Sequence, residues 1–365
     1  MFMTTLVAAM ALAAQSASPT QATHATHATQ QPQQFEHVLV ISVDGLRPDA
    51  IDGEFLAKLP AFARLERGPH TLDARNDPDI TVTLPNHISM VTGRLVKGER
   101  GHGWTINDEP PGAKQGGTVH AAKGAYVSSM FDVAHDEGVS TCVAAMKTKF
   151  WTLIQSYSWT GGAADTVAPD YGNAKIDAFL YEDNTEALAG AVVDRLHRSK
   201  KRTLDFVHFA PPDVAGHSFD WIVAPDSKYF EAVKEVDRGL GLILSAIDSD
   251  PHLRDKTAIV LTADHGGGVP RKTHTDNTCP LNFRVPLLVW LGSDSASVDL
   301  LAINPERAHP ARDQNVGPDE AVQPIRNADV ANVALQLLHL GPVPGSICGA
   351  PVPLHLAPPA SKPAG

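Results

Sequence analysis

Short apolar runs rich in β-branched residues alternate along this chain with longer stretches of helical periodicity. His37 to Val43 reads HVLVISV, the pattern of a strand buried on both faces of a parallel sheet. Val139–Ala145, Leu204–Phe209 and Thr257–Thr262 repeat that pattern, and Val285–Leu291 follows as a strand leading away from them. Between them, Phe55–Glu66, Tyr126–Glu137, Asp183–Arg198, Lys228–Ala246 and Asp329–Leu340 carry apolar residues at helical spacing. In the Lys228 stretch Phe230, Val233, Val236, Leu240 and Ile243 share one side. Thr71–Asp79 reads as a loop or an edge strand. Alternation of this kind predicts an α/β fold, a doubly wound and mostly parallel sheet flanked by helices. Such sheets bind ligands at the carboxyl ends of their strands.

Three of those strand ends carry chemistry. The first stops at Asp44-Gly45, the Leu204 strand runs into Pro211-Pro212-Asp213, and the Thr257 strand ends in Ala263-Asp264-His265-Gly266-Gly267-Gly268. His217 stands four residues after Asp213, a spacing that lets both reach one ion from a loop or single turn, and His274 follows in Thr273-His274-Thr275-Asp276. Asp44, Asp213, Asp264, His217, His265 and His274 form an oxygen and nitrogen donor set without a thiolate. That set suits two divalent metals about 4 Å apart, zinc first.

Thr83-Leu84-Pro85-Asn86-His87 opens a predicted short helix that Gly93 would stop, with Pro85 tolerated in the first turn. Thr83 then lies at or next to the N-cap, beside free N–H groups and the positive end of the helix. Alone, it would be no more than a capping threonine. Beside two metals its hydroxyl would have a depressed pKa and become a usable nucleophile.

Composition narrows the rest. The chain has 365 residues, a net charge of -11 and 43% hydrophobic residues, which fits a soluble domain with a sizeable core. It offers no long basic face for a nucleic-acid polymer. Leu6–Ala14 is nearly all apolar, too short to span a bilayer and the length of a signal-peptide core, although the first basic residue is Arg47. Residues 1–17 are therefore expected to be an export signal to a periplasmic or secreted location, and 18–34 a disordered linker. Residues 35–345 are the expected catalytic domain and 346–365 a Pro/Ala-rich tail. No stable membrane anchor is expected, and the chain is expected to be a monomer. Cys142, Cys279 and Cys348 show no C-x-x-C spacing, and nothing in the sequence selects a pair among them.

Four stretches in this order resemble the signature set of the nucleotide pyrophosphatase/phosphodiesterase family, within the alkaline phosphatase superfamily. They are Val43-Asp44-Gly45-Leu46-Arg47-Pro48-Asp49, Thr83-Leu84-Pro85-Asn86-His87 with Val91-Thr92-Gly93, Pro212-Asp213-Val214-Ala215-Gly216-His217, and Ala263-Asp264-His265-Gly266. The resemblance spans about residue 37 to about residue 345. It implies an alkaline phosphatase-like fold and a hydrolase holding two Zn2+. One ion would be held by Asp213, His217 and His274, the other by Asp44, Thr83, Asp264 and His265. It implies that Thr83 attacks phosphorus in line to give a phosphothreonine, with the leaving alkoxide on the Asp213 side, and that a hydroxide then frees Thr83 from the opposite side. Asn107 matches, more loosely, an asparagine aimed at a non-bridging phosphate oxygen.

The substrate implied is a small phosphate ester. A phosphomonoesterase, a phosphonate hydrolase and a non-catalytic metal-binding relative are the alternatives. In the family the residue after the nucleophile is often Phe, whose ring helps sandwich a nucleobase. Here it is Leu84. Trp104 and Tyr171 are the remaining candidates for the wall of a substrate pocket.

Overall fold

The computed structural model describes residues 35–108, 117–293 and 296–358. The expected signal and linker lie outside these residues. Eight strands form one sheet: β1 His37–Val43, β2 Pro69–Arg75, β3 Ser140–Ala145, β4 Ala178–Tyr181, β5 Thr203–Phe209, β6 Thr257–Thr262, β7 Arg284–Trp290 and β8 Val298–Asp299. Their order is β4-β3-β5-β1-β6-β7-β2-β8. The strands from β4 to β6 pair in parallel, and β7 runs antiparallel to both β6 and β2. β1 and β5 are buried at every residue, as their unbroken apolar pattern requires.

The helices at 185–198 and 228–249 pack against each other, and the helix at 330–337 packs on β1 and β6. Among the described residues no helix is long and apolar enough to cross a membrane.

Three local differences from the sequence pattern have physical causes. The expected helix at 55–66 is two short ones, Gly53–Leu56 and Pro60–Leu65, because Pro60 has no N–H to continue the first. The helix expected from Tyr126 begins only at Met130, where Ser129 and Asp132 form a capping box. The stretch after Gly68 is no edge: β2 lies between β7 and β8. In the described part of the tail, Leu354 is buried, and the N–H groups of Ile347 and Cys348 donate to the Gly93 carbonyl that ends the Thr83 helix.

Candidate active site

β5, β1 and β6 are adjacent and in parallel register, so their carboxyl ends deliver Asp44, the Asp213 turn and Asp264-His265 to one place. The Asp213 N–H donates to the Asp44 carbonyl at 3.1 Å, which ties the two ends together. Gly45 sits there with φ +70°, and a Cβ on it would lie 3.0 Å from the Asp213 Cα, so a side chain would push the two ends apart. Asp213 is in the first turn of a helix, Pro211–Phe219, rather than in a loop, and His217 lies one turn on.

Each of the three carboxylates is anchored by one oxygen and leaves the other unpaired. Asp264 Oδ1 accepts from the N–H groups of Gly45 at 3.1 Å and His265 at 2.9 Å. Asp44 Oδ2 accepts from Lys147 Nζ at 2.6 Å and lies 2.9 Å from His208 Nε2. Asp213 Oδ2 accepts from Lys147 Nζ at 2.7 Å. The buried partners of these atoms, Asp44 Oδ1, Asp213 Oδ1 and Asp264 Oδ2, have no hydrogen bond. Three unsatisfied carboxylate oxygens in one buried cluster are strongly unfavourable unless a cation meets them.

The three histidines are oriented to match. His217 Nδ1 lies 2.8 Å from the Lys272 carbonyl, His265 Nδ1 2.8 Å from the Gly266 carbonyl and His274 Nδ1 2.5 Å from the Thr81 carbonyl. A carbonyl can only accept, so each Nδ1 carries a proton, and in the neutral ring the lone pair is then on Nε2. His265 Nε2 faces Asp264 Oδ2 at 3.0 Å and Asp44 Oδ1 at 3.6 Å. His217 Nε2 and His274 Nε2 face Asp213 Oδ1 at 3.2 and 3.8 Å. Donor atoms of Asp44, Asp264 and His265 therefore cluster, as do those of Asp213, His265 and His274. His265 stands between the groups, its ring stacked on His274 with centroids 3.5 Å apart. His217 is the open member, with a side chain 44% exposed. The donor set fits two divalent cations: oxygen and imidazole ligands, no thiolate, and free lone pairs converging.

The charges of the site also act on one another's pKa values. Burial disfavours the charged form of His265, yet Asp264 and Asp44 outweigh it and raise the imidazole to about 9. Burial opposes the Asp44 charge as well, but Lys147 and His208 hold it well below the usual carboxylate range.

Thr83 is the first residue of the helix Thr83–Thr92, and the N-cap is Val82, which supplies no side-chain cap. Thr83 Oγ1 lies 3.3 Å from His265 Nε2, inside the cluster. Asn107 provides the missing cap from elsewhere in the chain. Its Oδ1 accepts from the Leu84 N–H at 2.9 Å and from Lys149 Nζ at 3.3 Å. His87 locks the turn from below. Its Nδ1 donates to the Thr83 carbonyl at 2.7 Å, and its Nε2 pairs with Ser42 Oγ at 2.8 Å.

The candidate pocket walls fare differently. Leu84 and Trp104 are fully buried in the core, and Trp104 Nε1 donates to the Ile106 carbonyl at 2.7 Å, so neither presents a face to a substrate. Tyr171 is exposed on a loop whose hydrogen bonds run from Tyr171 to Val167 and from Asp165 to Gly172, rather than to the donor cluster.

Sequence reasoning missed Lys147, His208 and Trp221. Lys147 lies two residues past β3, one strand beyond β5, and only the strand order reveals its reach. Trp221 is buried edge-on to His217, with centroids 5.0 Å apart, and a Cβ on Gly267 would strike its indole.

A mostly parallel sheet with this donor set at its carboxyl ends defines an α/β protein with a candidate two-cation centre. A model of the type I phosphodiesterase/nucleotide pyrophosphatase family matches residues 38–329, and the chain belongs to that family. It is 26% identical over 238 residues to a bis(5'-adenosyl)-triphosphatase of Xenopus laevis, covering 63% of this chain and 46% of that protein. It is also 32% identical over 174 residues to GPI ethanolamine phosphate transferase 1 of Chaetomium globosum, covering 45% of this chain and 17% of that one. The chain thus spans less than half of these curated relatives. Murine ectonucleotide pyrophosphatase/phosphodiesterase 5 shares the fold, with a TM-score of 0.55 and 15% identity over 85% of this chain and 96% of that one. The murine protein has also been solved as an inactive threonine-to-alanine form in complex with AMP, with a TM-score of 0.53 and 15% identity over 86% of this chain and 96% of that one.

Proposed function

We propose that this protein is an exported, zinc-dependent phosphodiesterase or nucleotide pyrophosphatase that works through a phosphothreonine at Thr83. The observation that carries this reading is three unsatisfied carboxylate oxygens facing three imidazoles in one cluster, with the Thr83 hydroxyl 3.3 Å from the central one, His265. Asp44, Thr83, Asp264 and His265 would hold one ion and Asp213, His217 and His274 the other. The ions would lower the Thr83 hydroxyl pKa and neutralise charge on the attacking and leaving oxygens.

Thr83 Oγ1, its proton given up to solvent, forms the new bond to phosphorus as the bond to the leaving oxygen breaks in line with it, and the alkoxide expelled takes a proton from solvent. Water then attacks the phosphothreonine from the vacated side, the P–Oγ1 bond breaks and Thr83 is restored. The chain's own task is positioning: the helix start aims Thr83, His87 fixes its carbonyl, and Asn107, held at the helix start through Oδ1, would give its Nδ2 to a non-bridging oxygen. The inactive threonine-to-alanine form of the murine relative supports the choice of nucleophile. With Leu84 buried, no aromatic ring follows the nucleophile, so the reading specifies the phosphoryl chemistry and leaves the alcohol side to small phosphate esters in general.

The test is kcat/KM on bis-p-nitrophenyl phosphate, p-nitrophenyl phosphate and phosphonoacetate, with the protein stripped by chelator and reloaded with Zn2+. The diester is expected to be the best substrate, with activity lost on stripping and regained on reloading. Clear preference for the monoester or the phosphonate would overturn the diester reading, and full activity after stripping would overturn the metal reading.

A further inference from the structure

Lys147 is the one ammonium in contact with this cluster among the described residues, and its placement is specific. It follows β3, crosses above β5 and reaches β1, so that a single Nζ donates to Asp44 Oδ2 at 2.6 Å and Asp213 Oδ2 at 2.7 Å. These are one carboxylate from each donor group. The ammonium takes the outer oxygen of both, while the inner oxygens, Asp44 Oδ1 and Asp213 Oδ1, stay unpaired and face the histidines. Lys147 therefore stands behind the ligands rather than among them. Its side chain is only 15% exposed, and the two carboxylates are buried.

A charge in that position has two opposed effects. It holds two carboxylates, which would otherwise repel each other, at a set separation and orientation. It also adds a third cation next to two dications, which weakens the binding of each through Coulomb repulsion in a poorly solvated site. We infer that Lys147 is a positioning residue that sets the spacing of the two ion sites at the expense of ion affinity. This rests on the two-ion reading above. A buried lysine that merely filled space would show no such opposition, since its removal would loosen the site and weaken ion binding and turnover together.

The test is titration of chelator-stripped wild type, K147Q, K147M and K147R with Zn2+ alone, reading stoichiometry and Kd by calorimetry, alongside kcat and KM on bis-p-nitrophenyl phosphate. K147Q and K147M are expected to bind the weaker Zn2+ about tenfold more tightly than wild type, while kcat falls about 10²-fold at similar KM. K147R keeps the charge in a different shape and should retain the wild-type Kd with a reduced kcat. Unchanged or weaker Zn2+ binding in both K147Q and K147M would overturn the inference. Should K147Q fail to fold by circular dichroism, K147M and K147R decide it by the same criterion. Wild type binding fewer than two Zn2+ per chain would instead overturn the two-ion reading itself.

Discussion

Among the described residues two lysines are enclosed by carboxylates, and the two enclosures differ. Lys175 is fully buried and contacts Asp136, Asp165 at 3.1 Å and Asp170 at 2.6 Å. The nearby histidine, His135, has its Nε2 turned to Asp177 at 3.4 Å. In this cluster one ammonium is the shared centre of three carboxylates and the imidazole pairs with a fourth; Asp136 Oδ2, Asp165 Oδ2 and His135 Nδ1 are without a hydrogen bond here too, so one difference lies in the cation already at the centre. Lys147 stands at the edge of its cluster, with the inner oxygens of its two carboxylates unpaired and three imidazole lone pairs turned towards the acidic cluster. A count of acidic residues would not separate these two places. The direction of the histidine lone pairs does, and that direction is set by backbone carbonyls.

The comparison can be tested by substitutions that should affect one cluster and not the other. The largest effect is expected from Thr83→Ala: kcat should fall by roughly 10³-fold or more. Zinc content by mass spectrometry and the unfolding midpoint should stay near wild type. Intact turnover would remove Thr83 from the chemistry.

Next comes Lys175→Met. Taking away the ammonium leaves buried carboxylates uncompensated, so urea denaturation should show a loss of about 3–5 kcal/mol. The folded variant should bind as many Zn2+ ions as wild type. A change in stoichiometry would mean the two clusters are not independent.

His217→Ala removes the open imidazole from Asp213 Oδ1. Equilibrium dialysis should report one of two ions bound about 10–100-fold more weakly, the scale on which disturbed metal shells respond.

The smallest effect concerns pH. His102 is fully buried, accepts on Nδ1 from the Trp104 N–H at 3.0 Å, and lies 3.1 Å from Ser89 Oγ through Nε2. Burial lowers its pKa to about 3. Because the folded pKa lies below the unfolded value of about 6.5, its contribution to stability is complete above that pH and lost as pH falls towards 3. At pH 5 the loss is about 2 kcal/mol, and His102→Gln should flatten that part of the pH–stability curve in calorimetry.

Much of the site was legible in the sequence because it follows strand ends. Asp44, Asp264 and His265 each lie within three residues of the end of an apolar β-branched run, and their positions come from the register of adjacent parallel strands. Asp213 and His217 were legible from their spacing, although they lie on a helix and not in a loop. The substrate side was not legible. Leu84 and Trp104 are pocket-wall candidates only by position in the chain, and packing buries both in the core.

The sequence by itself determined most of the element types, the mostly parallel sheet and the candidate donors, since periodicity and strand-end chemistry are local properties. Tertiary structure alone decided how those donors are held. Asp44 and Asp213 share an ammonium from β3 because β3, β5 and β1 happen to be neighbours, although Lys147 is 103 residues from one partner and 66 from the other. Each of the three histidines presents Nε2 because a carbonyl distant or adjacent in sequence, at Lys272, Gly266 or Thr81, claims its Nδ1. Which oxygen of a carboxylate is anchored, and which is left for a cation, depends on contacts that exist only once the strands are side by side.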